Sequence, residues 1–254
     1  MKLAEIKAFL EEKAEMYNRP QFIETDPVQV PRQFNQKEDI EISAFFTALI
    51  SWGNRTSIIK NACRLMHLME YRPYEFIVNA SSSEYHLLNK FTHRTFNGDD
   101  CNYLVQSLNN IYKHNGGLQT IIGNAFLEGE SIKKALIKLH FKIFELPGER
   151  TRKHIANVER GASAKRLNMF LRWMVRNDSR GVDFGLWPEI PASALMLPLD
   201  VHTGNVARKL GILIRKQNDW KAVEEVTETL RKFDPADPVK YDFALFGLGV
   251  FEKF

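Results

Sequence analysis

Apolar residues recur at helical spacing along almost the whole chain, and no run of period-two alternation interrupts them. Ile42, Phe45, Phe46 and Leu49 fall at i, i+3, i+4 and i+7, the stripe of a helix facing a core. Leu3, Ile6, Leu10 and Tyr17 mark an opening helix. Ile58, Ala62, Leu65, Met66 and Met69 form another stripe, stopped by Arg72-Pro73. The pattern returns in Leu104, Leu108 and Ile111, in Ile132, Leu136, Leu139 and Ile143, and in Trp220, Val223, Val226 and Leu230. End signals agree with it. Glu38 and Asp39 stand in a first turn, where carboxylates suit the helix dipole. Asp99 or Asp100 can cap one helix and Ser131 another. Asp234-Pro235-Ala236-Asp237-Pro238 makes a turn before a last helix over residues 239–250. The expectation is an all-α fold of roughly ten helices. One long irregular stretch, 177–199, carries Pro188, Pro191 and Pro198; loops of that length are often functional.

With 254 residues and 44 % apolar side chains, the chain can bury a core as one large domain or two small ones. It has two cysteines, Cys63 and Cys101, which excludes a disulfide framework, a four-cysteine zinc site and a four-cysteine iron–sulfur cluster within one chain. So few cysteines suit a reducing compartment, and the charged opening residues do not read as a signal peptide, so a cytoplasmic location is expected. No apolar run is long enough to span a membrane.

The net charge is only +4, but basic residues are concentrated locally. Between Arg150 and Arg180 stand nine Lys or Arg against two acids, Glu159 and Asp178. At about 100° per residue, Lys165, Asn168, Arg172 and Arg176 share one narrow face of a helix, opposite Leu167, Phe170, Leu171 and Met174. Such a stripe faces either a polyanion or carboxylates, or is a solvated surface with scattered ion pairs. Further on, Asp200 precedes a helix over residues 201–210 closed by Gly211, so it is an N-cap or something more. Asp200 and His202 lack a third ligand at helical or loop spacing, which argues against a metal site.

Together the two stretches resemble the helix–hairpin–helix DNA glycosylase superfamily. In that superfamily a hairpin Leu-Pro-Gly-x-Gly-x-Lys opens a helix, and a Val-Asp-x-His segment heads the next. Gly161-Ala162-Ser163-Ala164-Lys165 overlies the first pattern and Leu199-Asp200-Val201-His202 the second, with Arg208-Lys209-Leu210-Gly211 after it. The separation of Lys165 from Asp200 is most similar to that in archaeal 8-oxoguanine DNA glycosylases. The chain as a whole resembles a bacterial branch known only as a domain of unknown function, whose C-terminal signature includes Asp237-Pro238-Val239-Lys240-Tyr241-Asp242-Phe243. Two departures stand out: Ser163 replaces the second hairpin glycine, and no Leu-Pro precedes Gly161.

The resemblance implies two helical lobes with a cleft between them, one over 38–180 and one from 1–37 with 181–254. It implies Lys165 as the nucleophilic lysine and Asp200 as the catalytic aspartate, its carboxylate stabilising a cation-like sugar. Gly161, Ser163 and Arg166 would grip phosphates, with Arg150, Arg152, Lys153 and Arg172 as further contacts. Asn54, in Ser51-Trp52-Gly53-Asn54-Arg55, would fill the gap left by an extruded base, and Arg55 would touch phosphate or the orphan base; alternatively Gly53 simply stops one helix and Asn54 caps the next. Phe184 and Trp187, with His202, would form a base pocket, or Trp187 is plain packing. The implied partner is duplex DNA with an extruded base, met by a monomer, without membrane, metal or iron–sulfur cofactor beyond a monovalent cation at the hairpin. Three functions fit: a lysine-dependent glycosylase and lyase for a damaged base such as an oxidised purine, a non-catalytic nucleic-acid binder that keeps the fold, or a helical protein-interaction module.

Overall fold

The computed structural model describes residues 2–254 and is mostly helical. Twelve α-helices stand among the described residues: α1 (Leu3–Tyr17), α2 (Lys37–Leu49), α3 (Arg55–Leu68), α4 (Pro73–Asn79), α5 (Ser82–Leu88), α6 (Gly98–His114), α7 (Gly117–Gly129), α8 (Ile132–Ile143), α9 (Lys165–Val175), α10 (Val201–Lys209), α11 (Trp220–Phe233) and α12 (Tyr241–Val250). Short 3₁₀ turns bridge α1 to α2 and precede α10 and α12. The one sheet is a two-residue antiparallel hairpin, β1 (Thr92–His93) and β2 (Phe96–Asn97), too brief to leave an alternating pattern in the sequence. No helix among the described residues is long and apolar enough to cross a membrane.

The chain forms two compact units. One comprises residues 25–156, the other residues 1–24 with 157–254. The boundary therefore precedes the hairpin, where the sequence reading set it after the basic helix at 180. The reason is that α9 carries Arg172 and Arg176, whose acid partners all lie later in the chain, so α9 belongs with the C-terminal helices.

In the 25–156 unit, α2 is buried along almost its full length, from Ile40 to Leu49. Its one buried charge, Glu41, accepts a hydrogen bond from the Tyr112 hydroxyl (2.9 Å). The cap of α6 is Asn97, not Asp99 or Asp100; its side chain accepts from the Asp100 N–H while Asp100 accepts from the Asn97 N–H, a reciprocal pair that satisfies two first-turn donors. Ser131 does stand at the cap position of α8, without a side-chain bond to it.

In the other unit α1 and α10 both pack against α12, and Asp219 caps α11 by accepting from the Ala222 N–H (3.1 Å). The irregular stretch after α9 folds back over the end of that helix. The N–H groups of Phe184 and Trp187 donate to the carbonyls of Trp173 (2.8 Å) and Met174 (3.0 Å), which a helix end otherwise leaves unpaired.

Close packing at the start of α6 gives a direct test. A methyl group at Gly98 would stand 2.5 Å from Asn89 Cα and 2.7 Å from its carbonyl oxygen, both backbone atoms. Gly98→Ala is therefore expected to destabilise the chain by about 2 kcal/mol in urea denaturation, although alanine is the better helix former.

Candidate functional site

Helix α9 begins without a side-chain cap. Its N-cap residue, Ala164, has only a methyl group and adopts a left-handed backbone (φ 51°, ψ 34°), a conformation that costs a non-glycine residue about 1–2 kcal/mol. In the turn before it, Gly161 is also left-handed (φ 85°) and Ser163 is not. The replacement of the expected second glycine by Ser163 thus brings no backbone penalty; the penalty falls one residue later. The turn over residues 161–164 is held from inside its own unit. Its Gly161 carbonyl accepts from the Trp220 N–H (2.9 Å), its Ser163 carbonyl from the buried Asn168 side chain (3.2 Å), and Ala162 pairs with Asp219 as an isolated bridge. Turns, rather than a helix directly joined to it, precede this hairpin: α8 ends at Ile143. Lys165 follows as the first residue of α9, at the positive end of the helix dipole.

Asp200 caps α10, as the simpler sequence reading held. Its Oδ1 accepts from the Thr203 N–H (2.9 Å) and lies 3.2 Å from the Thr203 hydroxyl, which in turn accepts from the Asp200 N–H (2.8 Å). The other oxygen is left over from capping. It faces Lys165: the Nζ to Oδ2 separation is 3.4 Å, with the two side chains 29 % and 19 % exposed. The amine and the acid therefore meet across 34 intervening residues, and both remain open to solvent. One oxygen builds a helix and the other addresses an amine.

Beneath this pair lies a set of buried ions the sequence reading did not assemble. Arg172 is only 4 % exposed, and so cannot touch a phosphate, as the resemblance implied. It is bonded to Asp242 and to Asp183 (3.2 Å). Arg176, equally buried, binds Asp183 (3.1 Å), Asp237 (2.8 Å) and Asp178 (2.7 Å). Both guanidiniums lie over the Phe243 ring, at 4.3 and 5.4 Å from its centroid. Of the two partners proposed for this helix face, carboxylates are the ones present. Burial pushes the Asp242 carboxyl up to about 6; Arg172 and Lys165 pull it down, and Asp200 raises it further. Asp242 and Asp237 thereby give the C-terminal signature a physical role, one visible in the sequence only as two acids without an apparent cap or partner.

The remaining expected contacts are distributed as follows. Arg166, half-buried on α9, has its ionisation lowered to about 10 by burial. Trp187 is fully buried edge-on against Phe170 (5.4 Å between centroids), so it is packing and not part of an open base pocket. Phe184 is half-buried and His202 exposed on α10. Arg150, Arg152, Lys153, Asn54 and Arg55 all belong to the 25–156 unit. Arg150 is tied to Asp100 and to the Thr95 carbonyl (3.0 Å), and Arg152 to Glu149 (2.7 Å), while Lys153 is exposed. Asn54 caps α3, accepting from the Ser57 N–H (3.1 Å), next to Gly53 at φ 102°. That is the stop-and-cap arrangement weighed against a wedge. The same loop is fixed by Trp52, whose ring stacks on His154 (5.8 Å) and meets His93 edge-on (4.9 Å).

The family model described as a protein of unknown function (DUF2400) matches residues 26–251, so the chain belongs to that family. No curated protein and no solved structure matches it.

Asp242 makes the site sensitive to pH in a defined direction. Its carboxyl holds a proton more tightly when folded than at its ordinary value of 3.8, so it adds stability at low pH that disappears as pH rises through about 6. Relative to Asp242→Asn, the wild-type chain is expected to lose about 2 kcal/mol of stability between roughly pH 4 and pH 7. Chemical denaturation of both chains across that range measures it.

Proposed function

We propose that this DUF2400 protein is a lysine-dependent DNA glycosylase and abasic-site lyase acting on a damaged base, most simply an oxidised purine. The observation that carries the reading is the 3.4 Å approach of the Lys165 amine to the spare Asp200 oxygen, at the starts of two helices and within reach of solvent. Resemblance to the helix–hairpin–helix glycosylases supports the assignment of roles, and the start of α9, which has no side-chain cap, supports phosphate binding there, since the positive end of a helix dipole attracts anions.

Chemistry follows from the pair. A base extruded from the duplex leaves through a cation-like sugar, which the Asp200 carboxylate stabilises by its charge. The Lys165 amine gives up a proton to solvent and attacks C1′ through its nitrogen lone pair; the bond to the base nitrogen breaks, and its electron pair departs with the base, which takes up a proton. Loss of the amine's protons and ring opening give a Schiff base between Nζ and C1′. Elimination then removes a C2′ proton and expels the 3′ phosphate. The buried Arg172 and Arg176 stay out of these steps. They hold α9, and Lys165 with it, against α12 and the 177–199 loop.

One feature favours a second reading, a nucleic-acid binder that retains the architecture without the chemistry. Ser163 replaces the second glycine of the pattern, Ala164 takes a strained left-handed backbone in front of Lys165, and Asp200 has a sufficient structural reason to be present.

Borohydride trapping separates the two. Duplexes containing an abasic site or 8-oxoguanine are expected to give a covalent adduct with the wild-type chain and none with Lys165→Gln. An adduct that persists in Lys165→Gln removes Lys165 from the role. Asp200→Asn keeps a good helix cap, so it is expected to fold normally and to release base roughly a hundredfold more slowly. Salt-sensitive binding without base release from any lesion selects the binder instead.

A further inference from the structure

Ile214 is 86 % exposed, more than any other large apolar side chain among the described residues. An aliphatic group on a loose loop would fold back and shed that contact with water. Ile214 is prevented from doing so by the way its loop, residues 211–219, is pinned. Glu225 accepts the N–H groups of Ile214 (2.5 Å) and Arg215 (3.4 Å). Arg208 donates to the Arg215 carbonyl (2.8 Å) and to the Asn218 side chain (2.6 Å). Arg215 is paired with Asp219 (2.6 Å). The loop is rigid by construction, and it presents Ile214 at the rim of an open hollow shared with Arg215, Lys216, Gln217, Lys221 and Glu225.

Charge on this rim has a definite balance. Asp219 neutralises Arg215, and the Glu225 carboxylate is turned to the loop backbone. Lys216 and Lys221 are exposed and have no acidic partner among the described residues. What remains is an aliphatic tip between two unneutralised amines, which fits a polyanion with apolar edges and does not fit a cationic or purely apolar partner.

The loop is also joined to the Lys165 site. Asn218 donates to the Asp200 carbonyl (3.0 Å), and Asp219 bridges to Ala162 in the hairpin. We infer that residues 214–221 form a second contact for duplex nucleic acid, with Lys216 and Lys221 on phosphates and Ile214 set into a groove against sugar and base edges. This rests on the nucleic-acid reading above and extends it to a surface that the hairpin resemblance does not include.

Fluorescence anisotropy with the full chain and a labelled duplex carrying an abasic-site analogue tests it. Ile214→Ser is expected to weaken binding roughly tenfold without changing its salt dependence. Lys216→Gln with Lys221→Gln is expected to reduce the slope of log affinity against log salt by about 2. Both changes are at exposed side chains, and unchanged thermal melts verify folding. Variants that bind like the wild-type chain overturn the second contact and leave the Lys165 reading intact. A wild-type chain that binds no duplex at low salt overturns that reading, and this inference with it. If Ile214→Ser weakens polyglutamate and duplex equally, the surface is a general anion patch and the groove contact is wrong.

Discussion

Arg172 and Arg176 are the constraint on which the terminal unit depends. Two guanidiniums lie in the interior, one turn apart on α9, and burying such charges is costly unless every one is matched. The match comes from three different segments: Asp178 and Asp183 in the irregular stretch after α9, Asp237 in the turn before α12, and Asp242 within α12. Phe243 supplies an aromatic face to both cations. Directional bonds of this kind fix angles as well as distances, which apolar packing alone does not. They therefore set where α9 begins, and with it where the Lys165 amine stands.

This arrangement also explains why the long 177–199 segment can be irregular and yet ordered. Its acids answer the arginines, its N–H groups answer the last carbonyls of α9, and Trp187 fills the space beside Phe170. It is structural filling around one helix. Much of its side-chain capacity is used internally, and Phe184 and Leu186 are its half-buried apolar side chains beside the buried Trp187.

Much of the architecture was legible because it depends on local periodicity. The stripes on α2, α3, α6, α8 and α11 lie where the apolar spacing put them, and α10 and α12 end within a residue or so of expectation. The short helices α4 and α5 and the two-residue strands escaped because they are too short to repeat a stripe, and α7, thirteen residues long, escaped because its glycines at 117, 123 and 129 read as breaks rather than as parts of a helix. That Lys165 and Asp200 meet was expected from motif spacing, whereas the parts played by Asp242, Asp183 and Asp237 were not. An acid in a loop looks solvated until its partner is known, and the partners here are up to seventy positions away. Reading Arg172 as a surface charge was the corresponding error: helical phase identifies a face, not what covers it.

The two members of the central pair differ in why the fold keeps them. Asp200 holds the first turn of α10 together whether or not any substrate arrives, so a chain that had abandoned chemistry would have every reason to retain it. Lys165 starts α9, and its amine meets the Asp200 oxygen that the cap leaves over. The cap of α10 thus accounts for one Asp200 oxygen and the amine at the start of α9 for the other, so a single carboxylate ties the beginnings of two helices together.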